Sequence, residues 1–448
     1  MAVIGVDIGT QSLKAVVVGD DLAVLGEASE PYQPSFPRPG WAEQDSALWT
    51  ASLGRAVARA LAEASVKARD VRALGLGGQL DGCVPTDAAG RALGPAIIWM
   101  DRRAEAEVRD VSAALVRERA GVVLDATHMA AKIRWLRRND PAARGAARFH
   151  QPVSYMVARL TGEHVFDHGL ASTTMLYGLA ARDWDDDLLA AFDIDPRVLP
   201  TIAEAHAAAG TLHAEGAALT GLPEGTLVAV GTGDDFANPI GAGVVGPGRT
   251  VCTLGTAEVV GAVHDRPTID ARGLVETHGY VGGAYFIENP GWLSGGAVTW
   301  LVDLLGLAGA AELDAKAAEA PPGSDGVCFL PALSGAMAPE WIAGARGCFY
   351  GLTPAHGAGH LARAVLEGCA FAMRDVIDRL GELGLSGRSI LLLGGGAHSR
   401  LWASIRADLA GLPVDIARTT DASPLGGAVL GAVAAGLYAS VAEAASRI

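Results

Sequence analysis

Apolar residues fall in short runs that end at polar, glycine-bearing turns. Val3-Ile4-Gly5-Val6-Asp7-Ile8 and Leu13-Lys14-Ala15-Val16-Val17-Val18 flank Gly9-Thr10-Gln11-Ser12, which predicts a strand, a tight loop and a returning strand. A proline-rich loop, Pro34 to Asp45, follows and cannot be helical. Asp45 then caps a predicted helix whose apolar residues Leu48, Trp49, Leu53, Val57 and Leu61 recur at helical spacing. Residues 71–77 read as a buried strand running into Gly78-Gln79-Leu80-Asp81-Gly82, and 96–99 as a second strand ending at Met100-Asp101-Arg102-Arg103. Polar groups just beyond strand carboxyl ends are where open α/β sheets bind ligands.

The middle third reads as mainly helical, with Lys132 to Leu136 on an amphipathic segment and Ala171-Ser172-Thr173-Thr174-Met175 in a polar turn. Strand 227–230 feeds Gly231-Thr232-Gly233-Asp234-Asp235, a glycine turn that exposes carboxylates. Residues 250–260 then repeat the opening pattern of strand, Gly255-Thr256 turn and returning strand. The repeat predicts two similar α/β lobes, 1–241 and 242–448, each starting with its own hairpin. In the second lobe, Gly295-Gly296 precedes an amphipathic helix with Trp300, Leu301 and Leu304, and a long helix is predicted from His360 to about Leu380. A wholly apolar strand, 390–393, stops at Gly394-Gly395-Gly396-Ala397-His398-Ser399.

Half of the 448 residues are hydrophobic, enough for a large core, and the net charge is -15. An acidic chain without basic stripes argues against a nucleic-acid backbone binder. The five cysteines are scattered without CxxC spacing, which predicts a reducing compartment and no structural zinc. No leader-like segment and no apolar run of membrane-spanning length occurs, so a cytoplasmic protein without membrane partners is expected.

The turns carry the candidate chemistry. Asp7, Thr10, Gln11, Ser12 and Lys14 exceed what a hairpin needs to reverse direction; they fit an edge hairpin with polar decoration or a phosphate and metal cradle. Asp101 fits a helix cap or a ligand contact. Lys132 fits a solvated helix lysine or a ligand contact. The three glycines at 394–396 fit a tight turn or a close approach to a nucleotide. Gly241 to Gly246 matches GxGxxG, but Pro247 and a strand follow where a dinucleotide fold needs a helix. GxxxxGK[ST] and GxSxG are both absent from the sequence.

The set of motifs, in order, resembles the FGGY carbohydrate kinases of the sugar kinase, actin and Hsp70-like superfamily, the xylulokinase branch above all. Asp7-Ile8-Gly9-Thr10 resembles the first phosphate motif, Pro39-Gly40-Trp41-Ala42-Glu43-Gln44-Asp45 the PGWxEQD loop, and Trp99-Met100-Asp101-Arg102-Arg103 the WxDxR segment. Gly233-Asp234 resembles the turn with the catalytic aspartate, Leu254-Gly255-Thr256 the second phosphate motif, Gly347 to Glu367 the family signature, and Gly394 to Ser399 the adenosine motif.

The resemblance implies two ribonuclease-H-like, actin-like ATPase lobes around a deep catalytic cleft. It implies ATP and Mg²⁺ and phosphorylation of a primary hydroxyl of a small-molecule sugar, D-xylulose first. D-ribulose, L-isomers, hexuloses, glycerol and erythritol are the alternatives. Asp234 would be the base and Asp7 the metal residue. Gln79, Leu80, Asp81, Trp99, Asp101 and Asp235 would meet the sugar. Gly9, Thr10, Gln11, Ser12, Lys14, Gly255, Thr256, Gly295, Gly395, Gly396, Ala397 and Ser399 would meet ATP. Two departures stand out: Gln79-Leu80-Asp81-Gly82 where the branch has Gln-Met-His-Gly, and Gly233-Asp234-Asp235 where it has Gly-Asp-Asn. Both add a carboxylate that accepts hydrogen bonds and cannot donate, and the second leaves Asp234 or Asp235 as base. Some members of the family form dimers, so a homodimer is among the allowed assemblies. A nucleotide-dependent conformational protein or a sugar sensor without catalysis is the reading from another class.

Overall fold

The computed structural model describes residues 1–448 other than 337–339, 341, 343 and 420. Strands β1 (Ala2–Ile8), β2 (Ser12–Val18) and β3 (Val24–Pro31) form an antiparallel meander. Helix α1 (Ser46–Ala64) then carries the chain over the sheet, capped by Asp45, which accepts from the Ala47 N–H at 2.9 Å. Strand β4 (Val71–Gly78) returns parallel to β1. A helical insertion that includes α2 (Met129–Asn139) precedes β5 (Ala208–Thr211) and β6 (Leu227–Ala229), and β6 lies parallel to β4. The order is β5-β6-β4-β1-β2-β3, and helix α3 (Asp234–Gly241) follows.

The second sheet repeats the plan. Strands β7 (Arg249–Leu254) and β8 (Ala257–His264) form its hairpin, with β9 (Glu276–Gly279) and β10 (Tyr285–Leu293) antiparallel beyond β8. Helices α4 (Gly295–Leu305) and α5 (Ala358–Glu382) lead to β11 (Ser389–Leu393), which is parallel to β7. Helix α6 (Arg400–Ala410), strand β12 (Val414–Ile416) and helix α7 (Ser423–Ala434) follow, and a short helix, Val441–Ala445, comes last. The order β9-β10-β8-β7-β11-β12 matches the first sheet around its hairpin, the arrangement expected of ribonuclease-H-like lobes.

The period of two along β1 decides what each face does. Ile4, Val6 and Ile8 join the core shared with Trp49, Leu53 and Val57 of α1. Val3, Gly5 and Asp7 point the other way, toward α7. There helix and sheet touch backbone to backbone: a Cβ on Gly5 would sit 1.8 Å from the Pro424 carbonyl oxygen, and one on Gly75 1.9 Å from that of Gly427. Thus α7, late in the sequence, packs on β1 and β4 of the first sheet beside α3.

Three expectations change. The 96–99 run is a strand only at Ala96–Ile97, paired with Glu43–Gln44 apart from the main sheet, because Trp99 turns away to the turn after β1. Lys132 is fully buried rather than solvated; its ammonium donates to the carbonyls of Asp81 (2.5 Å) and Ile98 (3.0 Å). Leu48 and Leu304 share their helices' apolar spacing but stay exposed.

Candidate active site

The turn between β1 and β2 is held from behind by its carbonyls. The Tyr32 hydroxyl donates to the Gly9 carbonyl at 2.7 Å, the Gln44 amide to that of Thr10 at 2.6 Å, and the Tyr32 N–H to that of Gln11 at 2.9 Å. In a trans peptide the next N–H points opposite to the carbonyl. The N–H groups of Thr10, Gln11 and Ser12 therefore face away from these anchors, an arrangement suited to anionic oxygens. The Trp99 indole N–H donates to Thr10 Oγ1 at 3.0 Å, tying the 99–103 segment to the same turn.

Asp7 pairs with Lys14 across the hairpin register. The Asp7 carboxyl is buried and accepts from Ser423 Oγ at 2.8 Å. Burial, then the charge of Asp234, pushes it up to about 7. Lys14 is ion-paired with Asp421 just before α7. Burial works against the lysine's charge, yet Asp421, Asp7 and Asp234 together hold its pKa above the ordinary value. A carboxylate this depleted of donors beside a second carboxylate suits a hydrated divalent cation.

Asp234 and Asp235 are half-buried at the start of α3, whose N-terminal dipole favours anions. The turn before them is pinned by Asp167, whose carboxylate accepts from Thr232 Oγ1 at 2.7 Å and from the Gly169 and Leu170 N–H groups at 2.9 Å each. Burial and then Asp235 push Asp234 up to about 7, and burial and then Asp81 do the same to Asp235. The Asp234 carboxyl also feels Lys14, which places it within electrostatic reach of the first turn.

Gln79 and Asp81 follow β4. The Gln79 amide donates to Gln44 Oε1 at 2.6 Å, while its own Oε1 is buried without a partner. Asp81 has a left-handed backbone, φ 57°, fixed by Gln151 Oε1, which accepts from its N–H at 2.8 Å. Gln151 in turn donates to Thr173 Oγ1 at 3.0 Å, so the polar turn at 171–175 is a buried support. The Asp81 carboxylate lies 3.2 Å from His128 Nδ1, and His128 Nε2 lies 3.7 Å from Glu276 of β9. Burial opposes the His128 charge, but Asp81 and Glu276 raise its pKa well above the ordinary histidine value. Leu80 is half-buried and packs against Gly233, 3.0 Å from the site of a Cβ there.

Asp101 is used up structurally. It is fully buried, accepts from the Ala42 N–H at 2.6 Å, and is forked by Arg103. The guanidinium also stacks 3.7 Å from the Trp41 ring centre. It organises the Trp41 loop rather than presenting its carboxylate.

Across the cleft, Gly255 and Thr256 form the exposed turn between β7 and β8. The Gly295 N–H donates to the Gly255 carbonyl at 3.1 Å, and a Cβ on Gly295 would approach that oxygen to 2.3 Å, so only glycine fits. Beneath the turn, Glu258 and Arg406 form a fully buried pair, with Nη1 to Oε1 at 2.6 Å and Nη2 to Oε2 at 2.7 Å. After β11, Gly394 takes φ 79°, which brings the backbone against Leu254, and Gly395 is exposed with open space at its Cβ direction. Gly396 packs on Leu254 and Trp402, Ala397 lies in the apolar core, and Ser399 caps α6 through the Trp402 N–H at 3.0 Å. Among the three glycines of this motif, the open one is thus Gly395.

Sequence reasoning did not single out Gln44, His128, Glu276, Glu288, Asp421 or Ser423 as site groups. Gln44 lay in the proline-rich loop already noted, Glu276 follows the apolar pair Leu274-Val275, and Glu288 follows the apolar run Tyr285-Phe286-Ile287, a signal of buried function. A cavity of about 530 Å³ lined by Phe36, Trp41 and Met100 flanks that loop rather than the carboxylates. Among the described residues no single helix is long and apolar enough to cross a membrane.

Residues 2–241 match the N-terminal domain of the FGGY family of carbohydrate kinases, and residues 250–435 its C-terminal domain. The xylulose kinase of Escherichia coli K12 is 33% identical over 445 residues, spanning 98% of this chain and 91% of that protein. A glycerol kinase of Alkalilimnicola ehrlichii is 35% identical over 453 residues, spanning 97% and 90%. The solved xylulose kinase of Rhodospirillum rubrum is 34% identical with a TM-score of 0.86, covering 97% of this chain and 89% of that one. With both domains matched, this chain belongs to the FGGY family and is an ATP-dependent carbohydrate kinase.

Proposed function

We propose that this kinase transfers the γ-phosphoryl group of MgATP to a primary hydroxyl of a small ketose, with D-xylulose the leading acceptor. Relatives named xylulose kinase and glycerol kinase match at similar identity, so glycerol-type polyols and other ketoses are the alternative. The observation that carries the reading is the position of Asp234. Its carboxyl interacts with Asp7 and Lys14 beside the first turn on one side and with Asp235 on the other, and Asp235 in turn feels Asp81.

Asp234 accepts the proton of the attacking hydroxyl; a carboxyl lifted to about 7 is a stronger base than an ordinary one. Thr10, Gln11, Ser12 and Lys14 hold phosphate oxygens from the first lobe, and Gly255, Thr256 and Gly295 from the second. Gly395 leaves room for adenosine; Gly396, Ala397 and Ser399 shape that turn from inside. Asp7 would hold Mg²⁺, which would supply positive charge beside the transferring phosphoryl group. Gln79, Leu80, Asp81, Trp99 and Asp235 line the acceptor side, and Asp101 supports them through Arg103. A loose transition state gains chiefly from alignment and charge neutralisation.

ADP release with MgATP against D-xylulose, D-ribulose, L-isomers, fructose, glycerol and erythritol tests this. One strong acceptor supports the reading; ATP binding without sugar-dependent turnover counts against it. Asp234→Ala is expected to lower turnover by about 10³-fold or more while ATP still binds.

A further inference from the structure

Four carboxylates, Asp81, Asp235, Glu276 and Glu288, come together from the ends of β4 and α3 in the first lobe and from β9 and β10 in the second: His128 lies between Asp81 and Glu276, His278 between Glu276 and Glu288, and the Phe236 ring next to Asp235 lies 5.4 Å from that of His278. Two of them are met. Asp81 and Glu276 share His128, and Glu276 also faces His278 Nε2 at 3.6 Å. Two are not. Asp235 is half-buried, and its carboxylate receives no hydrogen bond from any described residue. Glu288 is 2% exposed; its Oε1 lies 3.4 Å from His278 Nε2, and its Oε2 is buried without a partner. The two act on each other electrostatically, and Glu288 also feels Asp81 and Asp234.

The nearby cations are already engaged. Lys132 donates to two backbone carbonyls, and Arg103 is held by Asp101 and Glu43. Gln79 adds another buried acceptor oxygen without a donor. Among the described residues no group of three or more His, Cys, Asp or Glu side chains has metal-holding geometry, so a bare cation does not account for the set. What remains is an excess of acceptors and of negative charge. Sugar hydroxyls supply donors without charge, whereas an ammonium supplies three donors and the missing positive charge. Buried carboxylates left unpaired are costly, and such a partner relieves both costs at once.

The geometry points to an acceptor that carries a protonated amine beside its hydroxyls, an amino-polyol or amino-ketose whose ammonium is held by Asp235 and Glu288. The assignment rests on the kinase reading above and narrows its acceptor class. The two added carboxylates at positions 81 and 235 then have one purpose: Asp81 fixes His128, and Asp235 meets the amine.

The test compares amine, neutral and N-acetylated acceptors with the full chain and MgATP at about pH 7.5, where alkyl amines are protonated. The probes are 3-amino-1,2-propanediol and 1-amino-1-deoxy-D-sorbitol, their N-acetyl forms, glycerol, D-sorbitol and D-xylulose. The expected result is a kcat/KM about tenfold or more above the N-acetyl and neutral counterparts. Glu288→Gln should collapse that preference to within about threefold by lowering the amine's kcat/KM more than the neutral acceptor's. Equal rates for amine and N-acetyl forms, with D-xylulose or glycerol turned over well, overturn the inference and leave the kinase reading intact. Silence from every acceptor counts against the kinase reading instead, and thermal shift then decides the inference. Stabilisation by the amines alone, lost in Glu288→Gln, upholds it; no stabilisation by them overturns it.

Discussion

Ser423 donates a 2.8 Å hydrogen bond to Asp7, joining the first residue of the last long helix to the end of the first strand. The contact spans 416 positions and is buried on both sides. After the charge of Lys14, it is the next influence that keeps the Asp7 carboxyl from rising further against burial and the charge of Asp234. Ser423→Ala removes that donor without adding bulk. Stability is expected to fall by about 1 kcal/mol, and the Mg²⁺ concentration for half-maximal turnover to rise about three- to tenfold. Urea unfolding and a Mg²⁺ titration of ADP release measure the two effects; an unchanged Mg²⁺ requirement removes Asp7 from the metal site.

Turnover should depend on pH through the carboxylate set. Asp234 works as a base only when ionised, and its carboxyl is lifted to about 7 chiefly by burial and next by Asp235. The acid limb of kcat/KM is therefore expected near neutrality rather than near pH 4, its midpoint belonging to the coupled carboxyls together. Asp235→Asn removes the neighbouring charge, so the limb should move to lower pH even as acceptor affinity falls. A profile of kcat/KM from about pH 5 to 9 checks this. A limb that stays put in the variant would show that Asp235 does not act on the base.

What the sequence revealed and concealed follows from the range of each interaction. Both hairpins, the strand at 389–393 and the carboxylate turn after Gly233 were legible because alternation, glycine and a strand end are local signals. Ser423, His128 and Glu288 were not, since each matters through a partner far along the chain: Asp7, Asp81 and Asp235 respectively. Lys132 shows the same limit in reverse. Its helical neighbours suggested a solvated face, yet the insertion folds over it and burial lowers its pKa to about 8. Asp101 had open readings as a cap or a ligand contact, and its fork with Arg103 under Trp41 is visible only once the loop at 39–45 is in place.

The approach of α7 to the first sheet makes Gly5 a sharp probe of the fold. A Cβ there would lie 1.8 Å from the Pro424 oxygen and 2.5 Å from the Ala428 nitrogen, both backbone atoms that cannot rotate aside. Gly5→Ala is expected to cost about 3 kcal/mol or more, because α7 must lift and carry Ser423 away from Asp7. Gly145→Ala is the control: its Cβ would meet nothing within 4 Å, and a shift of only a few tenths of a kcal/mol is expected. Equal effects in denaturant unfolding would refute the close packing of α7 on β1.

Asp235 should cost the protein stability in the absence of ligand. Its carboxyl is raised from 3.8 to about 7, first by burial and then by Asp81, so the folded state holds the proton more tightly than the unfolded one. Stability from this group is therefore full below about pH 4 and is lost as pH rises through about 7. Asn at this position carries no charge at any pH. Asp235→Asn should raise stability by about 1 to 3 kcal/mol above neutrality, with the gain shrinking as pH falls toward 4. Urea midpoints of both proteins at about pH 4, 6 and 8 measure it. A gain of the same size at all three values would trace to packing, and a loss above neutrality would mean that Asp235 has a cationic partner in the unliganded protein.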